Sequence, residues 1–136
     1  MAQLIPYLNF DGNCREAMTF YKTCLGGELM VQKISESPMA AQMPSEMAAM
    51  ILHSQLTSKS GFILRGSDMM GKNLVKGNSI GLCLDCPTEK ETTTIFTKLS
   101  VDGHVKTPLH QTFWGATYGE LTDKFGVNWM LNYSKS

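Results

Sequence analysis

The second half of this chain repeats the order of the first, and that repeat limits the fold more than any other feature. Laying Leu8-Asn9-Phe10-Asp11 over Leu82-Cys83-Leu84-Asp85 also brings Phe20-Tyr21 near Ile95-Phe96 and Gly27 near Gly103, at a shift of roughly 75 residues. In the first half, residues 4–10 read as a short apolar strand running into the turn Asp11-Gly12-Asn13. The spacing then changes to three and four: Ala17, Phe20, Tyr21 and Cys24 mark one face of a helix, with Asn13 at its N-cap and Gly26-Gly27 closing it. Strand character follows over 28–34, 47–56 and 61–65. The second half offers an alternating strand over 80–85, a helix opened by Pro87 with Ile95, Phe96 and Leu99 as its apolar stripe, and strands over 104–109, 113–121 and 127–133. Both halves predict βαβββ, and a duplicated unit is the economical explanation. Gly71-Lys72-Asn73 and Lys76-Gly77-Asn78 predict a polar linker, so a single domain over 1–136 is expected to consist of modules at about 1–70 and 78–136.

A chain of 136 residues is one domain long and can build a core without disulfide or metal staples. Twelve Lys and Arg balance twelve Asp and Glu, which removes the basic footprint of a nucleic-acid binder or a polybasic membrane-surface protein. The balance points to partners that are small and uncharged overall. No basic, apolar leader opens the chain, and no run approaches the ~18 apolar residues of a membrane span. Cys14, Cys24, Cys83 and Cys86 are then expected to be free thiols in a cytoplasmic protein.

Several blocks together carry a resemblance. They are Pro6-Tyr7-Leu8-Asn9-Phe10-Asp11-Gly12-Asn13-Cys14-Arg15-Glu16-Ala17, Phe20-Tyr21, Leu25-Gly26-Gly27-Glu28, Gly66-Ser67-Asp68, Thr112-Phe113-Trp114-Gly115 and 122–129, Thr-Asp-Lys-Phe-Gly-Val-Asn-Trp. Over nearly its whole length the chain resembles PhnB-like members of the vicinal oxygen chelate superfamily, which includes glyoxalase I, extradiol dioxygenases and the bleomycin and fosfomycin resistance proteins. The resemblance implies an α+β fold of paired βαβββ modules whose mixed sheet cups a cavity, with helices outside, and a homodimer. No Gly-rich loop follows a strand, so the residues give no support to the methyl-donor site that a demethylubiquinone methyltransferase would need.

On that fold the alternation assigns Leu8, Phe10, Ile80, Leu82 and Leu84 to the helix-covered face and Tyr7, Asn9, Ser79, Gly81 and Cys83 to the cavity. In the last strand Trp129 and Leu131 are expected to be covered, which turns Asn128, Met130 and Asn132 the other way. Metal-dependent relatives take one ligand, usually His, Gln or Glu, from the first and last strand of each module. Here those positions fall on Pro6 (or Ile5), near Leu64, and on Ser79 and Met130, none of which suits a divalent ion. The expectation is that the inherited metal site is absent and that no cofactor is used. A relocated site built from Glu46, His53, His110 and Glu120 would lack ligand spacing on any one element.

His53 lies on the face shared by Ile51 and Gln55, opposite Met50, Leu52 and Leu56, and is either the acid-base residue of a cavity or a structural, hydrogen-bonded imidazole. Cys83 and Cys86 have C-x-x-C spacing, yet residues three apart on a strand face opposite ways, and no second pair completes a zinc tetrad. Met39, Met43, Met47 and Met50, interleaved with Pro38, Pro44 and alanines, form either an adaptable lid or a loop that packs on a partner. Asp123 is expected to cap the Lys124-Phe125-Gly126 turn. The ligand pocket is expected to be lined by Tyr7, Asn9, His53, Ser79, Trp114, Asn128 and Met130, with His53 supplying any proton transfer. The favoured function is small-molecule binding without metal. The alternatives are a metal-dependent isomerase, lyase or dioxygenase with relocated ligands, and a protein that sequesters a drug between two subunits.

Overall fold

The structure, a computed structural model, describes residues 2–69 and 73–134. It divides into two compact units, Met1–Val75 and Lys76–Ser136. The first contains β1 (Tyr7–Phe10), α1 (Cys14–Leu25), β2 (Glu28–Lys33), β3 (Ile51–Thr57) and β4 (Ile63–Asp68). The second contains β5 (Leu82–Asp85), α2 (Glu89–Leu99), β6 (His104–Gln111), β7 (Ala116–Thr122) and β8 (Asn128–Ser134). The two sheets have the same plan, β1-β4-β3-β2 and β5-β8-β7-β6, in which the first and last strands pair parallel and the others antiparallel. The expected α+β architecture of duplicated βαβββ modules is present. Of the linker, Gly71 and Lys72 lie outside the described residues; Asn73 to Asn78 contain no helix or strand.

Each sheet buries one face under its helix. In the first unit Cys14, Ala17, Met18 and Tyr21 of α1 are fully buried, as is Leu56 of β3, with Phe10 and Leu64 nearly so. Packing of this kind on a half-apolar sheet supplies most of the stabilisation of such a short helix. In the second unit Thr92, Phe96 and Leu99 of α2 are buried with Leu121, Trp129 and Leu131. Gly119 in β7 is there because a Cβ would fall 2.8 Å from the Phe96 ring. Leu8 and Phe10 are more buried than Tyr7 and Asn9, and Leu82 and Leu84 more than Cys83, so these strands alternate as the sequence reading expects, whereas Ile80, also expected on the covered face, precedes β5 and is 77% exposed.

The two modules also close their helices in the same way. A Cβ at Gly27 would fall on the carbonyl oxygen of Thr57, and one at Gly103 would come 2.5 Å from that of Thr122. Each glycine precedes the strand after the helix and lies against the end of a neighbouring strand, which leaves no room for a side chain. This is the physical content of the Gly27 and Gly103 correspondence.

Several boundaries differ from the sequence reading. Residues 47–50 are not strand: 34–47 folds as three short 3-10 turns, Ile34–Glu36, Pro38–Gln42 and Ser45–Met47. Asn13 stands at the N-cap of α1 without a side-chain cap, and the first N–H of the helix, at Cys14, donates instead to Asp68 Oδ1 at 2.9 Å. Pro87 precedes α2, whose N-cap is Thr88, with Oγ1 accepting from Glu91 N at 3.1 Å. Phe113 and Trp114 are not in a strand but at the tip of the β6–β7 hairpin, 97% and 62% exposed. Among the described residues no helix is long and apolar enough to cross a membrane.

Candidate functional site

With one face of each sheet covered by a helix, chemistry is left to the other. In the first unit that face carries Tyr7 and Asn9 from β1, Arg65 and Ser67 from β4, His53 and Gln55 from β3, and Met30 and Gln32 from β2. The ladders bring these side chains into rows: Tyr7 pairs with Arg65, Arg65 with Gln55, Gln55 with Met30, and His53 with Gln32. Tyr7 Oη lies 3.3 Å from His53 Nδ1, with the rings stacked at 6.0 Å between centroids. Arg65 Nε donates to Gln55 Oε1 at 2.9 Å. The sheet thus gathers a phenol, an imidazole, a guanidinium and a carboxamide from three strands.

His53 shares the face of Gln55 by regular alternation, and a bulge follows on its Ile51 side. Between the pairs Gln32–His53 and Lys33–Ile51, β3 has one extra residue, which breaks the alternation. Ile51, expected beside His53, is instead 1% exposed, while His53 stays half-buried. The covered side at this end is organised by Asp68, which is 3% exposed and accepts from Cys14 N and from Ile51 N at 2.8 Å. Ser54 Oγ donates to Gly66 O at 2.7 Å and lies 3.6 Å from Cys14 Sγ. Burial pushes the Cys14 thiol up to about 11, with the Asp68 charge adding to the effect and the Ser54 contact opposing it. Cys14 is therefore an inert core residue.

In the second unit the corresponding face carries Cys83 and Asp85, then Asn128, Met130 and Asn132, then Tyr118, Glu120 and Thr122. Asn128 accepts from Thr122 Oγ1 at 2.9 Å and donates to Gly77 O at 3.1 Å. Asn132 Nδ2 donates to Asp85 Oδ1 at 3.1 Å. Tyr118 Oη donates to Glu120 Oε2 at 2.9 Å, with the His110 ring edge-on to it. Burial, then the Glu120 carboxylate, push the Tyr118 phenol up to about 12. Cys83 is exposed and Cys86 is half-buried on the next turn of chain, and burial raises both thiols. Neither has the depressed pKa of a reactive cysteine.

Of the residues expected to line a pocket, Tyr7, Asn9 and His53 share the open face of the first unit, where Tyr7 and His53 touch, and Asn128 and Met130 share that of the second. Ser79 is not among them: β5 begins at Leu82, and Ser79 is an exposed bend before it. Trp114 stands at the hairpin tip, where its ring meets only that of Phe113 edge-on among the described ring contacts, at 4.8 Å. Arg65 and Gln55 are open-face residues beyond those expected in a site, while Glu120, expected only as a relocated metal ligand, accepts from Tyr118. The alternation that selects His53 also selects Gln55, and one more step along β4 would have selected Arg65.

The fourth-strand ligand position falls near Leu64, which is 2% exposed on the covered face, and the open-face residue beside Tyr7 is Arg65. Tyr7, Asn9, Arg65 and Ser67 in the first unit include no carboxylate or imidazole, and a guanidinium repels a divalent cation. The donor set does not fit the metal. In the second unit the first and last strands contribute the Asp85 carboxylate, already held by Asn132, with amide, thiol and thioether groups. Among the described residues no three His, Cys, Asp or Glu side chains come together as a metal would need. Glu46 lies in a short 3-10 turn, and Glu120 and His110 each contact Tyr118, Glu120 by accepting its hydroxyl and His110 by an edge-on ring contact.

Comparison with known proteins places the chain in a family. The family described as 3-demethylubiquinone-9 3-methyltransferase matches residues 2–132. Protein YjdN of Escherichia coli (strain K12) is 34% identical over 141 residues, covering 97% of this chain and 95% of that protein. Protein PA1353 from Pseudomonas aeruginosa is 35% identical, with a TM-score of 0.87 over 100% of both chains. A PhnB protein from Bacillus cereus, itself described as a 3-demethylubiquinone-9 3-methyltransferase, is 25% identical, with a TM-score of 0.78 over 98% of this chain and 100% of its own. Solved structures of the glyoxalase/bleomycin resistance/dioxygenase family at 11% and 12% identity share the fold alone, with TM-scores of 0.59 and 0.63.

Proposed function

The chain belongs to the PhnB-like family described as 3-demethylubiquinone-9 3-methyltransferase, and from that membership we propose that it is a cytoplasmic small-molecule-binding protein that holds its ligand with its own polar side chains and no metal ion. The observation that carries the reading is the pairing of Tyr7 with Arg65 across the parallel ladder of the first sheet. Where metal-dependent relatives use first- and last-strand ligands, this sheet offers a hydrogen-bonding phenol and a cation. Tyr7, Asn9 and His53 orient a polar group of the ligand, and Asn128 and Met130 serve the second unit's face. Methyl transfer is not part of the proposal. The turns between strand and helix, Asp11-Gly12-Asn13 and Cys86-Pro87-Thr88, are not the glycine-rich loops that cradle a nucleotide-like donor.

His53 is the acid-base candidate of this face because Tyr7 Oη holds one of its ring nitrogens. The exposed Phe113, Trp114 and Ile80 support self-association as a homodimer. Elemental analysis of the purified protein after separate incubation with Ni, Zn, Mn and Fe tests the central point. Less than a tenth of an equivalent of each is expected, to order of magnitude, because the open faces of the first and last strands of the two modules offer no imidazole and a single carboxylate, Asp85, already bonded to Asn132. One tightly held metal per chain, lost in His53→Ala, would replace this reading with a metal-dependent enzyme. Light scattering checks the dimer, which should have twice the 15.1 kDa mass of one chain.

A further inference from the structure

We propose that the open face of the first sheet binds an oxyanion, a carboxylate or a phosphoryl group, on the guanidinium of Arg65, with Tyr7 and His53 beside it; the inference rests on the metal-free binding reading above and names the chemistry of its ligand. The chain's net charge of zero points to an uncharged partner, but the balance is global, and the charges on this face are not balanced locally.

Arg65 is half-buried in the middle of the face, flanked by Tyr7 on one strand and Gln55 on the other. Its Nε is committed to Gln55 Oε1. That bond sets the plane of the guanidinium and leaves the paired Nη edge for another partner. Among the described residues no Asp or Glu supplies one. Asp68, three residues on, faces the covered side and is used by Cys14 N and Ile51 N. Glu28, the acid on β2, pairs with Thr57, so it is separated from Arg65 by all of β3 and by two residues along the ladder.

A half-buried guanidinium without a counter-charge is costly, and its planar fork matches the two oxygens of a carboxylate or phosphoryl group. The remaining groups suit the same guest. The Tyr7 hydroxyl and the His53 ring are hydrogen-bonded to each other and leave one further donor between them for the anion, and Gln55 holds the fork in place. Met30, opposite Gln55 and 51% exposed, and the half-buried Ile63 give apolar surface for the body of the ligand. The expected ligand is therefore a small anion with an apolar or aromatic body. By contrast, the second unit's face presents amides and two carboxylates, Asp85 and Glu120, and no Lys or Arg from β5, β7 or β8.

The test uses the full chain, labelled with nitrogen-15 and titrated with benzoate, phenylphosphonate and neutral benzamide. Benzoate or phenylphosphonate should shift the amides of Tyr7, His53 and Arg65, and benzamide should not; which of the two binds more tightly tells a carboxylate site from a phosphoryl site. Affinity should fall by about tenfold or more in Arg65→Gln and less in Arg65→Lys, which keeps the charge but not the fork. A wild-type titration between about 20 mM and 0.5 M NaCl, which needs no variant, should show weakening as screening increases. Benzamide shifting the same amides as benzoate, with no effect of salt, would overturn the anion site and leave the small-molecule reading standing. Shifts from neither anion would also overturn it. Failure of the underlying reading is seen separately, in the metal content.

Discussion

The carboxylate of Asp68, on the last strand of the first module, accepts the backbone N–H of Cys14, the first residue of a helix 54 positions earlier, at 2.9 Å. Its other oxygen accepts Ile51 N at 2.8 Å, next to the bulge between Ile51 and His53. One buried side chain therefore starts the helix, closes the sheet and sets the edge of the candidate site. Asp68→Asn keeps the volume but turns an NH2 toward one of these two N–H groups. It should cost about 2–3 kcal/mol in a urea unfolding experiment, the scale for an unpaired buried donor. A loss within experimental scatter of zero would show that the two bonds are not needed.

The second module has its own buried carboxylate. Asp123, 3% exposed, accepts Phe125 N and Val127 N at 2.8 and 3.0 Å, as expected of a turn cap, and also Trp129 Nε1 at 2.8 Å. Trp129 is buried and Trp114 is 62% exposed. Trp114→Phe should leave blue-shifted emission resistant to acrylamide. Asp123→Asn in that background should red-shift the emission and lower stability by about 2 kcal/mol or more, since it leaves a buried donor unpaired. Unchanged emission would contradict the Trp129 bond.

Gly27 and Gly103 should be equally intolerant of alanine. At both, the new Cβ meets strand backbone, which cannot rotate away as a side chain would. Gly12 is the control: its φ is +88 but nothing lies within 4 Å, so alanine there costs only backbone strain of about 1 kcal/mol. Thermal melts should show Gly27→Ala and Gly103→Ala losing several times what Gly12→Ala loses. Similar small losses at all three would mean that the strand ends move apart easily.

Tyr118 should ionise well above the ordinary tyrosine range. Its pKa is raised from 10.0 to about 12 by burial and by the Glu120 carboxylate. Below pH 10 its phenol is neutral in both folded and unfolded chains, and its contribution to stability is complete. Between 10 and 12 the unfolded chain ionises first, so the native state binds more protons and stability falls as pH rises. Absorbance at phenolate wavelengths should lose a late-titrating component in Tyr118→Phe. Glu120→Gln should move that component to lower pH. A Tyr118 titration near 10 in the intact protein would refute the Glu120 contact.

What was legible in the sequence follows from what is local in the structure. Period-two alternation depends only on neighbouring residues, and it put Leu8 and Phe10, Leu82 and Leu84, and Trp129 and Leu131 on the covered faces. It failed at Ile51, where an extra residue reverses the faces, because a bulge is a property of two paired strands. Phe113 and Trp114 have strand propensity but occupy a hairpin tip, since β6 and β7 are joined there and Gly115 takes φ +88. Ser79 was lost for a simpler reason: β5 is shorter than its apolar run.

By itself the sequence determined the duplication, the order of helices and strands, most of the helix-facing residues and the family, because each is written in spacing along the chain. Only the tertiary structure decided that Arg65, and not Leu64, stands beside Tyr7, that Tyr7 reaches His53 across 46 residues, and that Asp68 serves Cys14 and Ile51. Those are contacts between strands distant in sequence. Their register is set by how whole faces pack, and a shift of one residue in any strand would exchange every one of them.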